Sequence, residues 1–333
     1  MKPFRYVQSS GVQDATRHVG GQAESVFFAG GTTLIDLMKI HVLQPSELVD
    51  VNQLPLSSIE VSDKSIRVGA NVRNSELAWH VAIRERFPVL SEALLAGAST
   101  QIRNMATTAG NIMQKTRCPY YRDIASACNK RVPGSGCDAI EGYNKGQAVL
   151  GTSDHCIATF PSDMCTALAM LDVTVITARP DGSTRKIAFT DFHLLPGKTP
   201  ERETVLEHGE MISHVELADT PSSRNSHYLK VRDRASYEFA LASAAVGLEL
   251  DGKTIKNARV GLGGIATKPW RSVEAERALI GKPANTDTYK AAAEAALASA
   301  KTYEHNAFKV PLAKRTLIEA LEELMAQHQA KTK

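Results

Sequence analysis

No run of apolar residues in this 333-residue chain approaches the length of a membrane span. The opening residues, Met1-Lys2-Pro3-Phe4-Arg5-Tyr6, hold neither an apolar core nor a twin arginine, so no export signal is expected. A cytoplasmic protein is expected, or one exported while bound to a partner that carries the signal. An excess of one charge sign is also missing. Lys and Arg number 39 against 36 Asp and Glu, a net charge of +3 with the signs interspersed, which gives no electrostatic case for nucleic acid. Aromatic residues make up only 6%, ordinary for a soluble α/β protein. Internal repeats and low-complexity tracts are absent. The length exceeds what one compact core organises, and two or three domains are expected.

Cysteine is scarce, and its placement is the most informative feature. Four of the five cysteines, Cys118, Cys128, Cys137 and Cys156, fall in one stretch broken by Pro119, Pro133, Gly134, Gly136 and Gly142. Cysteines on an irregular loop can converge on one point. The intervals of nine, eight and eighteen residues are neither the Cys-x2-Cys pairs of a zinc ribbon nor the tight run of a bacterial ferredoxin. A four-thiolate iron–sulfur cluster fits best and points to an electron carrier. Two disulfides, a zinc ion or unlinked thiols are the alternatives. The fifth, Cys165, lies in the apolar run from Met164 to Leu171, where free cysteine acts as a small hydrophobe, and is left out of the ligand set.

Hydrophobic periodicity divides the chain into three units. Residues 1–55 form a small α/β unit, with strands at Val26-Phe27-Phe28 and Glu47–Val51 and a helix from Thr33 to Ile40. Residues 56–218 form a larger one. Its strands are expected at 59–61, 66–70 and 173–178, with one helix starting at the cap Asn74 and another from Val89 to Leu95. Residues 115–158 form its cysteine insert. A polar stretch at 219–223 reads as a linker. The last unit, 222–330, has strands at 240–250 and 257–265 and helices at 288–303 and 311–327.

Four segments carry candidate chemistry. In the first, Val26-Phe27-Phe28-Ala29-Gly30-Gly31-Thr32-Thr33-Leu34, paired glycines let backbone N–H groups approach a phosphate. It is neither Gly-x-Gly-x-x-Gly nor a Walker loop. A purely structural turn is the alternative. The second, Ala106-Thr107-Thr108-Ala109-Gly110-Asn111, offers small residues, hydroxyls and an amide just before the cysteines. In the third, Phe160-Pro161-Ser162-Asp163, the carboxylate can accept hydrogen bonds from ribityl hydroxyls or a flavin ring, or the pair simply caps the next helix. The fourth, Tyr228 to Arg234 with Lys230, could bring a cation to a flavin or phosphate, or form a solvated edge strand.

In this order the four segments resemble the FAD-binding subunit of molybdenum hydroxylases, the xanthine dehydrogenase and carbon monoxide dehydrogenase flavoprotein family. The resemblance covers nearly the whole chain. The insert from Arg117 to Cys137 resembles that of the FAD subunits of periplasmic aromatic aldehyde oxidoreductases. The resemblance implies an α+β protein. Two α/β subdomains would form a vanillyl-alcohol-oxidase (PCMH)-type FAD-binding fold, followed by a carbon monoxide dehydrogenase flavoprotein-like domain. It implies that Val26 through Leu34 wrap the FAD pyrophosphate and that Thr107, Gly110 and Asn111 complete the phosphate and ribityl pocket. Asp163 would bind the ribityl or ring region, and Lys230 would lie near the ring. Cys118, Cys128, Cys137 and Cys156 would hold a 4Fe-4S cluster, which makes disulfides unexpected. Thr33 departs from the family pattern, which often has Asn there. The implied partners are a 2Fe-2S iron–sulfur subunit and a molybdenum cofactor-binding subunit in a heterotrimer, with an external electron acceptor. The implied compartment is the periplasm. Electrons from aldehyde oxidation to a carboxylic acid would pass to FAD here, so no catalytic residue is expected in this chain. A self-contained flavoenzyme of the same fold and a non-catalytic iron–sulfur or zinc module are the competing readings.

Overall fold

The computed structural model describes residues 1–332. Three sheets follow one another along the chain. In the first, β1 (Arg5–Gln8), β2 (Ser25–Phe28) and β3 (Glu47–Asp50) run parallel in the order β1-β3-β2. The central strand β3 is buried throughout yet begins and ends in a carboxylate. Burial pushes the Glu47 carboxyl up, but Ser25 at 2.8 Å, His18 at 2.5 Å and Arg5 outweigh it and hold it below the usual range. Asp50 accepts the Asn52 side-chain amide at 2.6 Å and the Tyr6 hydroxyl. With both ends of β3 pinned, the end of β2 is fixed, and so is the Ala29-Gly30-Gly31 turn that follows it.

The second sheet is wholly antiparallel. It contains β4 (Ile59–Val61), β5 (Ser65–Gly69), β6 (Val173–Ala178), β7 (Thr184–Ala188) and β8 (Met211–Ala218), in the order β4-β5-β8-β6-β7. One apolar core joins the first two sheets, with Val19 and Val49 packed in the same cluster as Val68, Val175 and Leu168. The third sheet, also antiparallel, has the order β12-β11-β10-β9. Its strands are β9 (Ser226–Val231), β10 (Ala242–Asp251), β11 (Thr254–Gly263) and β12 (Trp270–Arg271). Residues 242–248 of β10 are all buried because helices cover both faces of the strand: Asp163–Met170 on one side, Lys309–Thr332 on the other. An apolar run without alternation is what such double cover requires.

Several elements differ from the sequence expectation. The polar stretch at 219–223 is no free linker. Thr220 and Ser223 form a capping box on the turn Pro221–Arg224, with Ser222 and Ser223 buried. Asn74 is the first helical residue rather than the cap, and Arg73 precedes it in extended conformation. The alanine-rich helix covers Thr286–Ala296 only. Residues 301–309 leave it to strap the cysteine loop. There Asn306 donates to the Ala148 carbonyl at 3.2 Å, His305 N–H to the Asn144 side chain at 2.9 Å and Lys309 Nζ to the Gly146 carbonyl at 3.1 Å. Tertiary hydrogen bonds there outweigh the helical preference of the sequence.

Candidate cofactor site

The turn after β2 and the helix Thr108–Ile112 face each other across a cleft of about 380 Å³. Val26, Phe27 and Ala29 to Leu34 form one wall, and Thr107 and Gly110 the other, with Met211 and Ile212 of β8 closing it. Gly30 sits where the walls touch: a Cβ there would stand 2.0 Å from the Met105 carbonyl oxygen. A brace holds this contact. Arg73 donates to the Met105 carbonyl and, at 3.1 Å, to Asn52 Oδ1, while Asn52 Nδ2 donates to the Ala29 carbonyl at 3.1 Å. Thr107 Oγ1 accepts the Gly110 N–H at 3.2 Å and so caps its helix. A concave, mainly apolar cleft with close backbone approach and a few hydroxyls suits a dinucleotide.

The expected site residues do not all reach this cleft. Phe28 turns its ring edge-on to Tyr6 instead. Asn111 points the other way, accepting Ser162 Oγ at 2.7 Å and Gln114 Nε2 at 2.5 Å. Ser162 thereby links the second segment to the third, and it also caps the helix Asp163–Met170 through Cys165 N–H at 3.0 Å. Asp163 is buried, and its oxygens accept the Tyr228 hydroxyl at 2.6 Å and Lys230 Nζ at 2.8 Å. Lys230 also donates to the Ala96 carbonyl at 3.1 Å. The stretch from Tyr228 is therefore no solvated edge: β9 is an edge strand, but a helix covers the face that carries Tyr228 and Lys230. Burial and the Asp163 charge push the Tyr228 hydroxyl well above its ordinary pKa. Asp163 lines a small cavity of about 70 Å³ together with Cys118, Phe239 and Ser243.

The four cysteines of the insert gather in one small core with Leu37, Val42 and Tyr121. All are free thiols; Cys118, Cys128 and Cys156 are buried and Cys137 is half-buried. An isolated antiparallel bridge joins Cys128 to Cys137, and the Asn129 side chain spans the turn between Gly136 N–H and the His155 carbonyl. Burial pushes the Cys118 and Cys137 thiols up, and Cys156 up to about 11. Donors oppose it: the Tyr121 and Tyr120 N–H groups and Gln147 Nε2, at 3.3 Å, on Cys118, and the Ala139 and Ile157 N–H groups on Cys137. Hydrogen bonds onto sulfur are what thiolate ligands of an iron–sulfur centre use. Among the described residues, no three His, Cys, Asp or Glu side chains are arranged to hold one metal ion. Cys165 is fully buried beyond this group, as its apolar surroundings led one to expect.

Two further features join the cysteine loop to the glycine turn, and neither is visible in the sequence as a pattern. Asp36, on the helix Leu34–Lys39 that leaves the turn, accepts from Arg117 at 2.7 Å and from Arg122 at 2.7 and 3.0 Å. A second cleft of about 230 Å³ shares Met113, Lys115 and Leu206 with the first and has Cys156 on its wall. Within it Glu203 is flanked by Lys115 and, at 3.0 Å, by Lys130. Burial pushes Glu203 up, but the two ammonium groups outweigh it and pull it down to about 2. Beside them His193 lies edge-on among Phe160, Phe189 and Phe192 and donates Nε2–H to the Ile112 carbonyl at 3.0 Å.

The fold and cleft define a flavoprotein domain pair, and the chain belongs to the molybdopterin dehydrogenase FAD-binding family. Residues 2–219 match the FAD binding domain in molybdopterin dehydrogenase, and residues 227–324 match the CO dehydrogenase flavoprotein C-terminal domain. The chain is 48% identical to the aldehyde oxidoreductase FAD-binding subunit PaoB of Escherichia coli K12, over 98% of this chain and all of the relative. It is 27% identical to the glyceraldehyde dehydrogenase medium chain of Sulfolobus acidocaldarius, over 86% of this chain and 84% of the relative. In fold it is similar to a carbon monoxide dehydrogenase chain from Hydrogenophaga pseudoflava, with a TM-score of 0.75 at 23% identity over 97% of this chain and 98% of that one. The protein is thus an FAD-binding oxidoreductase subunit of the molybdenum hydroxylase type. Among the described residues no helix is long and apolar enough to cross a membrane.

Proposed function

We propose that this chain is the FAD- and 4Fe-4S-containing electron-transfer subunit of a molybdenum-dependent aldehyde oxidoreductase, acting on aromatic aldehydes. It would work in a heterotrimer with a 2Fe-2S subunit and a molybdenum cofactor subunit, exported to the periplasm with a signal-bearing partner. The 48% identity to a named aldehyde oxidoreductase FAD-binding subunit over nearly the whole chain carries the reading. Bound FAD supplies the exchange of electrons between the partner centres and an external acceptor. The residues of this chain hold and shield it. Val26 to Leu34, Thr107 and Gly110 would take the pyrophosphate end, with Met211 and Ile212 excluding water. Asn111 and Asp163 lie outside the cleft, joined to each other through Ser162 with Lys230 fixing the carboxylate, and would bound the ribityl and ring region only if the flavin reaches past the cleft to them.

Cys118, Cys128, Cys137 and Cys156 would ligate the cluster. A four-iron cluster gives each thiolate its own iron, so the four sulfurs need not meet at one centre. Their shared burial and the N–H groups aimed at three of them support this. The test is the complex purified with its partners, assayed for flavin, iron and acid-labile sulfide per chain. One FAD and about four irons beyond those of the 2Fe-2S subunit are expected, and Cys128→Ser should lose those four while keeping the 2Fe-2S iron. Zinc in place of iron, or iron unchanged by Cys128→Ser, would overturn the ligand assignment. Aldehyde turnover by the isolated chain would instead favour a self-contained flavoenzyme.

A further inference from the structure

We propose that Lys130 and Glu203 form a charge pair that sets the reduction potential of the cysteine-loop centre from the cleft between it and the flavin site. This rests on the 4Fe-4S reading above and concerns residues that the reading does not use. Lys130 lies two residues beyond Cys128, and its Nζ donates to Glu203 Oε1 at 3.0 Å and to the Pro200 carbonyl at 2.9 Å. Glu203 is held from its other side by Lys115, three residues beyond Ile112 on the segment that leaves the flavin cleft. Lys115, Lys130, Glu203 and Cys156 all face the 230 Å³ cleft.

Reduction of a 4Fe-4S centre adds one electron and one negative charge, and no bond forms or breaks. A fixed cation nearby stabilises the reduced form, and a fixed anion opposes it. Lys130 and Glu203 therefore act with opposite sign on the same equilibrium. A purely structural pair would not, because breaking it from either side loosens the same contact.

The test is a dithionite titration of the purified complex, with the cluster followed by electron paramagnetic resonance and iron counted in every variant. Lys130→Met should disfavour reduction at least tenfold, a fall of about 59 mV for a one-electron couple. Glu203→Gln should favour it by a similar factor. Lys130→Arg should stay near wild type, and the Lys130→Met, Glu203→Gln double variant should return toward it. Shifts of the same sign in the two single variants, or no shift in either with iron intact, would overturn the proposal. If Lys130→Met loses its iron, an unmoved potential in Glu203→Gln overturns it alone. A wild-type complex without the additional four irons would refute the cluster reading, a result distinct from iron present with unmoved potentials.

Discussion

Adding one methyl group at Gly30 should cost the protein its flavin. The Cβ of Gly30→Ala would lie 2.0 Å from the Met105 carbonyl oxygen, 2.8 Å from its carbonyl carbon and 3.1 Å from Ala106 Cα. Carbon and oxygen normally come no closer than about 3.3 Å, so the two walls of the cleft must part by roughly 1 Å. All three obstructing atoms are backbone, and no rotamer change relieves them. The Asn52–Arg73 brace resists the parting because it ties the Ala29 carbonyl to the Met105 carbonyl. Overpacking of this kind costs about 1–3 kcal/mol. If that cost falls on the FAD-competent arrangement, affinity drops roughly 5- to 150-fold. The assay is flavin released by acid per mole of chain, with the melting temperature measured beside it. Gly31→Ala is the internal comparison. Its φ of +70° adds strain of about 1 kcal/mol, but the close neighbour is the Phe28 ring at 2.8 Å, which can move. Flavin loss should therefore be smaller there. Gly30→Ala with a full complement of FAD and an unchanged melting temperature would refute this account of the cleft.

Asp163→Ala should lower FAD occupancy and free Lys230; a variant that keeps its flavin and loses only thermal stability would show that Asp163 is structural. Asp36→Asn should expose the 115–158 loop to protease several-fold faster, at a stability cost of about 1 kcal/mol for a partly exposed ion pair. Arg122 and Arg117 hold the Asp36 carboxyl below its ordinary value, so this contribution is present above about pH 4 and disappears as the pH falls below that. Unaltered cleavage would rule out the clamp. Burial holds His193 neutral, with its pKa down to about 4 against about 6.5 unfolded, so wild-type stability should fall as the pH drops from 6.5 toward 4. The loss should be about 2 kcal/mol at pH 5, read from urea midpoints, and His193→Gln should flatten the profile; identical profiles would exclude His193 as the cause.

Much of the architecture is legible locally. Val173–Ala178 shows its β-branched run, and the helix Pro88–Ala96 its apolar face, because both are dictated by residues within a few positions. Met211–Ala218 is harder. It mixes His214 and Glu216 with apolar residues, and its place in the middle of the second sheet comes from pairing with β5 and β6, more than a hundred and about forty residues away. The fate of 219–223 was equally opaque, since polar residues that suit a linker also suit a capping box.

The candidate site divides the same way. The glycine pair, the Ser162 cap and the four cysteines are motifs, and motifs are local chemistry written in order along the chain. The sequence alone determined that a close-approach turn, a capped helix and a thiol-rich loop exist. Tertiary structure alone decided which of them meet. It turned Asn111 away from the cleft toward Ser162, locked Asp163 onto Tyr228 and Lys230, and set Asp36 between Arg117 and Arg122. It also brought Lys115 and Lys130 of the cysteine insert together with the distant Glu203 in one cleft. Ionic partners at such separations leave no periodicity in the sequence, because a charge is recognised by distance in space and not by spacing along the chain.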